Sequence, residues 1–240
     1  MAYLFRILIL LPLIITTGCD SPEEDREGGD GTPSDTSLGR ADSVAEEEAE
    51  LRIPSLLTFE IADSLFADER TMIETFGRGN VDSGEIHVGE GEILPATVLF
   101  PEDPERRLKV TWHDPEERSS PERIVIEEKP SRWSVQPGFS TGTTLDSLEK
   151  LNGRPFELLG FDWDYAGTVV NWSEGRLDSL ESESRWLVVR LRPTDEDRER
   201  VGEEMMARVM GDAMFGSDHR VMREVNPQVY QILMIFAGND

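Results

Sequence analysis

The chain has 240 residues, with 49 acidic against 24 basic side chains and a formal net charge of −25. So large an acidic excess repels nucleic acid and anionic membrane surfaces, so no nucleic-acid partner is expected. The single cysteine excludes an internal disulfide and a cysteine-built zinc site.

In chain order, the first feature is Arg6 followed by the apolar run Ile7–Ile15, then Thr16-Thr17-Gly18-Cys19. A lone cation, a short apolar core and small residues before a cut site have the form of a secretory signal peptide. The run is far shorter than the roughly 20 residues of a membrane-spanning helix, and Pro12 interrupts it. The Gly18-Cys19 ending resembles the lipobox of bacterial lipoproteins, with Thr16 where that family usually has leucine. The resemblance implies that residues 1–18 are removed and that Cys19 becomes the lipidated first residue. It further implies an anchor in the inner or outer membrane, facing the periplasm or the exterior. Stable anchoring takes more than one acyl chain.

From Asp20 to Glu50 the chain is acidic, rich in Gly, Pro, Ser and Thr, and free of aromatics. Such a stretch buries too little apolar surface to offset its conformational entropy. Residues 19–50 are therefore expected to be a disordered tether, with a root-mean-square span of about 30 Å.

The remaining residues are expected to form an α+β fold of two tandem helix-on-antiparallel-sheet repeats, 51–135 and 136–240. Asp68 to Gly77 reads as a cap, a short helix and a glycine stop, and Thr143 to Gly153 reads the same way. The predicted strands of the first half are Glu85–Val88, Ala96–Phe100, Leu108–Trp112 and Arg123–Glu127. Those of the second are Phe156–Trp163, Gly167–Trp172, Trp186–Arg192 and Val229–Phe236. Their alternation and tight turns require antiparallel pairing. An inserted helix is predicted from the cap Thr194 through Val201, Met205 and Val209 to Gly211, with a helical turn near Asp218–Glu224. The phrase Gly142-Thr143-Thr144-Leu145 with Leu148, Leu151 and Gly153-Arg154-Pro155 resembles one in small envelope lipoproteins, the SmpA/BamE family and the periplasmic β-lactamase inhibitor protein. Asn152 departs from that phrase. The resemblance implies the tandem fold and a protein-binding envelope module.

Enzyme signatures such as Gly-x-Ser-x-Gly, a Walker-type loop and His-Glu-x-x-His are missing from the sequence. No cofactor and no metal site are expected. Asp162-Trp163-Asp164-Tyr165-Ala166-Gly167 opens like a calcium loop but lacks the third ligand and the closing glutamate at the right spacing. His87, His113 and His219 are far apart in sequence, and Ser217-Asp218-His219 cannot form a triad from one turn. The feature that remains is aromatic. Phe161, Trp163 and Tyr165 share one face if the segment is a strand, with Trp172 on the returning strand. That face is either core or an exposed patch rimmed by Asp162 and Asp164. The reading is a non-enzymatic, membrane-anchored envelope lipoprotein, a protein-binding or assembly module with Trp163, Tyr165, Trp172, Asp162 and Asp164 as binding residues. The alternatives are a hydrolase of an envelope polymer using Asp162, Asp164 and His219, and a structural lipoprotein with no specific ligand.

Replacing Cys19 with Ala should leave the protein without palmitate label and uncut by lipoprotein peptidase. Fractionation of labelled cells checks this. A Cys19→Ala protein that loses its signal and still partitions with membranes contradicts the anchor.

Overall fold

The computed structural model describes residues 53–238 apart from 55, 90, 128 and 129. The expected signal peptide, Cys19 and the tether lie outside the described residues. Within them the fold is mixed α+β, with six α-helices and nine strands in two antiparallel sheets.

Helices α1 (Phe59–Leu65) and α2 (Glu69–Phe76) begin on side-chain caps: Thr58 accepts from the amide of Ile61, and Asp68 from that of Thr71. Helix α1 was not foreseen from the sequence. Helix α2 stops at Gly77, whose φ of 90° favours glycine. Strands β1 (Val81–Gly89), β2 (Glu92–Leu99), β3 (Leu108–Asp114) and β4 (Ser119–Ile126) then form a meander. An aromatic box of Phe66, Phe76, Phe100 and Trp133 fills the space beneath α1 and α2, with centroid separations of 5.8–6.4 Å. Buried Trp133 keeps its polar edge satisfied, donating from Nε1 to Arg106 O at 2.7 Å.

Helix α3 (Leu145–Asn152) starts at Thr144, which accepts from Ser147 N, so the cap lies one residue beyond the expected Thr143. Thr143 Oγ1 instead accepts from Ser140 N. Strands β5 (Glu157–Leu159) and β6 (Val169–Asn171) are short. Then come β7 (Arg185–Arg192), α4 (Asp195–Val201), α5 (Glu203–Met206), β8 (Met214–Gly216), α6 (Arg220–Val225) and β9 (Gln228–Phe236). The single helix expected from Thr194 to Gly211 is divided, because Gly202 turns out of the helix at φ 79°.

The larger sheet runs β1-β2-β3-β4-β9-β7 and the smaller β6-β5-β8. The strands of 136–240 are therefore divided: β5, β6 and β8 make the smaller sheet, while β7 and β9 join the larger one. Strand β9 pairs with β4, from Arg123↔Ile235 to Ile126↔Ile232, and β7 pairs with β9. Each half has a capped helix with a glycine stop, α2 and α3, but two separate helix-on-sheet units are not formed. The physical reason is burial. Ile124, Ile126, Ile232 and Met234 are at most 1% exposed, and they bury one another only when β4 and β9 are neighbours.

Asn152, the residue that departs from the family phrase, is itself 1% exposed and fully used. Its Nδ2 donates to Arg154 O and Trp172 O, both at 2.9 Å, and its Oδ1 accepts from Leu177 N at 3.1 Å. It thus ties the end of α3 to the loop after β6. Gly175 is needed there, since an added Cβ would stand 2.1 Å from Asn152 Oδ1.

Asn152→Ala leaves Trp172 O and Leu177 N buried without that partner. The expected cost is about 3 kcal/mol, read from the midpoint of urea unfolding with an unchanged slope.

Candidate functional site

The segment after β5 does not continue as a strand. Gly160 lies against the carbonyls of Val209 and Gly211, where a Cβ would come within 2.7 and 2.5 Å, so the chain turns away. Its amide donates to Ala213 O, and Phe161 N donates to Val209 O. Residues 162–167 form bends and turns that close where Leu191 N donates to Gly167 O. Gly167, at φ 66°, has no room for a side chain: a Cβ would overlap Leu191 O.

The expected sharing of one strand face by Phe161, Trp163 and Tyr165 is therefore corrected. Phe161 is core at 1% exposure, while Trp163 and Tyr165 are half-buried on the loop, their rings in a T-shaped contact at 5.6 Å. Trp163 Nε1 donates to Gly160 O at 3.1 Å. Trp172 is also core, at 3% exposure with its ring 5.2 Å from Phe156, and offers no surface for a ligand.

Asp162, exposed and at φ 66°, receives a two-pronged contact from Arg198 of α4 at 2.6 and 3.0 Å. That pairing raises the Arg198 guanidinium above its ordinary value. Helix α4 is held by a capping box between Thr194 and Asp197. Asp164 is exposed.

Together these elements frame an open cleft of about 670 Å³, lined by Asp162, Trp163, Arg192, Thr194, Arg198 and Tyr230 among others. Arg192, on the outer face of β7, lies over the Tyr230 ring at 4.7 Å. Two positions along, Arg190 faces Tyr165 at 5.9 Å. Neither arginine pairs with a carboxylate among the described residues. Sequence reasoning did not single out Arg192, Arg198 or Tyr230. The alternation Trp186-x-Val188-x-Arg190-x-Arg192 was the available signal that β7 turns two cations to one face.

No protein family, curated protein or solved structure matches this chain.

The other chemistry-bearing residues are dispersed. The cleft contains Asp162 but neither Asp164 nor His219. His219 is exposed with its ring against Phe215, and His113 contacts Phe236 O through Nε2 at 2.9 Å. Ser217 is fully buried; its Oγ donates to Glu149 at 2.5 Å and accepts from Phe156 N, while the other Glu149 oxygen pairs with Arg223. Among the described residues no group of three or more His, Cys, Asp or Glu could hold a metal ion.

One carboxyl near the core carries a pH signature. Glu181 accepts from Leu187 N and from the Trp172 indole, yet burial outweighs these bonds and raises it above the ordinary glutamate range. The folded state therefore binds its proton more tightly than the unfolded state. Stability contributed by this group is present below the unfolded value of about 4.5 and is lost as pH rises through the folded value. Glu181→Gln, which keeps an acceptor for Leu187 N, should be more stable than the parent at pH 7. The difference should close toward pH 4, as read from thermal midpoints across that range.

Proposed function

We propose that this protein is a membrane-anchored envelope lipoprotein that works as a non-catalytic binding or assembly module, docking a protein partner in the cleft beside Trp163. The observation that carries the reading is Arg192. In a chain of net charge −25 it lies on the Tyr230 ring, beside half-buried Trp163, with no carboxylate partner among the described residues. Aromatic and arginine side chains grouped around a recess are the usual anchors of protein interfaces. A guanidinium over a ring is also pre-positioned for an acidic group of the partner. Arg198 is less available, being held by Asp162. Of the expected binding residues, Trp163 and Asp162 line this cleft, Tyr165 contacts the Trp163 ring without lining it, and Trp172 acts only through the core.

The Gly18-Cys19 phrase supports the anchor and the envelope location, with the membrane reached through lipidated Cys19. The tandem origin of the fold is supported by two capped helices, α2 and α3, each followed by an antiparallel strand pair, β1 with β2 and β5 with β6. The hydrolase reading has less support, because Asp162 is engaged by Arg198 while Asp164 and His219 lie outside the cleft lining.

Trp163→Ala and Arg192→Glu should each weaken capture of the native envelope partner by about 2 kcal/mol or more. Both variants should keep the parent's unfolding midpoint to within about 1 kcal/mol, unlike Trp172→Ala, which should cost about 3–5 kcal/mol. Affinity and stability measured on the same proteins separate the two effects. Turnover of an envelope polymer that disappears on changing Asp162, Asp164 or His219 overturns the binding-module reading.

A further inference from the structure

The outer face of the large sheet carries a second recess, which shares no lining residue with the cleft at Trp163. Strand β2 pairs with β3 only through Thr97, Val98 and Leu99. Beyond that ladder, residues 84–89 and 92–96 continue as a two-stranded arm, with Pro95 supplying no amide donor for a further neighbour. Free two-stranded ribbons twist more than wide sheets. Here the arm folds back over the sheet, so that Ile86 of β1 packs in one cluster with Val125 of β4 and Leu233 of β9, which are three and four strands away in pairing order.

Between arm and sheet is a groove of about 240 Å³. Its walls are aliphatic: Ile86, Val125, Val188, Leu233 and Ile235. One end of it holds Arg190. Its Nη1 donates to Gln231 Oε1 at 3.1 Å, while its Nε is buried without any hydrogen-bond partner. The nearby carboxylate of Glu127 is already neutralised by Lys109 at 2.5 Å and receives Gln231 Nε2 at 3.2 Å. At the other end Arg123 is paired with Glu122 at 3.0 Å. His87 and Glu92 of the arm complete the lining. Arg190 is thus the groove arginine without a carboxylate partner among the described residues, and the surface leading from it is hydrocarbon, with exposed Glu92 on the arm. A partly buried guanidinium without an anion is costly, and an entering carboxylate supplies what is missing.

We propose that this groove binds a small aliphatic carboxylate of fatty-acid type, its head group on the Arg190 guanidinium and its chain along Val188, Leu233, Val125 and Ile86. A liquid-packed heavy atom of water size takes about 30 Å³, so the groove admits a chain of about eight such atoms. Binding is non-covalent and needs no reaction.

The test titrates octanoate into the full chain by calorimetry, with octanol as the uncharged control. Saturable one-to-one binding of octanoate, at least about tenfold tighter than octanol, is expected. Arg190→Met and the groove-filling Val188→Phe should each lower octanoate affinity by about tenfold or more, and Arg190→Lys should retain most of it. Circular dichroism confirms folding of each variant, and Trp163→Ala should bind octanoate as the parent does. No saturable binding, equal affinity for octanoate and octanol, or affinity unchanged in both Arg190→Met and Val188→Phe overturns the proposal. So does a leucine-ending peptide that displaces octanoate and binds more tightly, since the groove is then a protein C-terminus site.

Discussion

The ladder between β4 and β9 is the interaction on which the rest of the molecule depends. It joins Arg123–Ile126 to Ile232–Ile235, segments more than a hundred residues apart. On its inner face Ile124, Ile126, Ile232 and Met234 make the centre of the core. On its outer face Val125 and Leu233 make the floor of the groove under the β1–β2 arm. A slip of one residue would exchange the two faces, setting aliphatic core against solvent and charged residues against the core. The same ladder holds β9 in place for β7, and β7 supplies Arg192 to the cleft and Arg190 to the groove.

What was legible in the sequence was local. The caps and glycine stops of α2 and α3 act over a few residues, so their spacing foretold both helices, with the second cap misplaced by one position. Alternation also located most of β3, β7 and β9, and about half of β1, β2 and β4. The order of those strands was not legible, because β9 follows α6 in the chain and nothing in its own residues names β4 as a neighbour. Helix α1 and strand β8 were missed for another reason. Each is short, and each exists because of what it packs on: Phe59 and Ala62 on the core, Leu159 opposite Met214.

The candidate site shows the same division. Trp163 and Tyr165 attracted attention as aromatics, but their setting was misread as a strand because Gly160 alone gives no sign of the two carbonyls that press on it. Arg192 and Tyr230 reach the cleft from β7 and β9, and Arg198 from α4, so no spacing rule connects them to Trp163. Charge bookkeeping needed the structure as well. Lys109, Arg118 and Arg223 are occupied by Glu127, Glu69 and Glu149. Pairs of this kind, partly open to solvent, contribute modestly to stability, but they decide which cations stay available. Arg190 and Arg192 are among those left without a carboxylate partner.

The interior position of β9 also bears on when the molecule can form. This strand is synthesised after all the others, yet it lies between β4 and β7. Until it emerges from the ribosome, β4 has an open edge and β7 has no main ladder to join. Closing so distant a pairing is slow compared with making local hairpins and helices. A growing chain of this topology therefore stays threadable through most of its translation. That delay leaves the larger sheet incomplete until the C-terminal residues have been made.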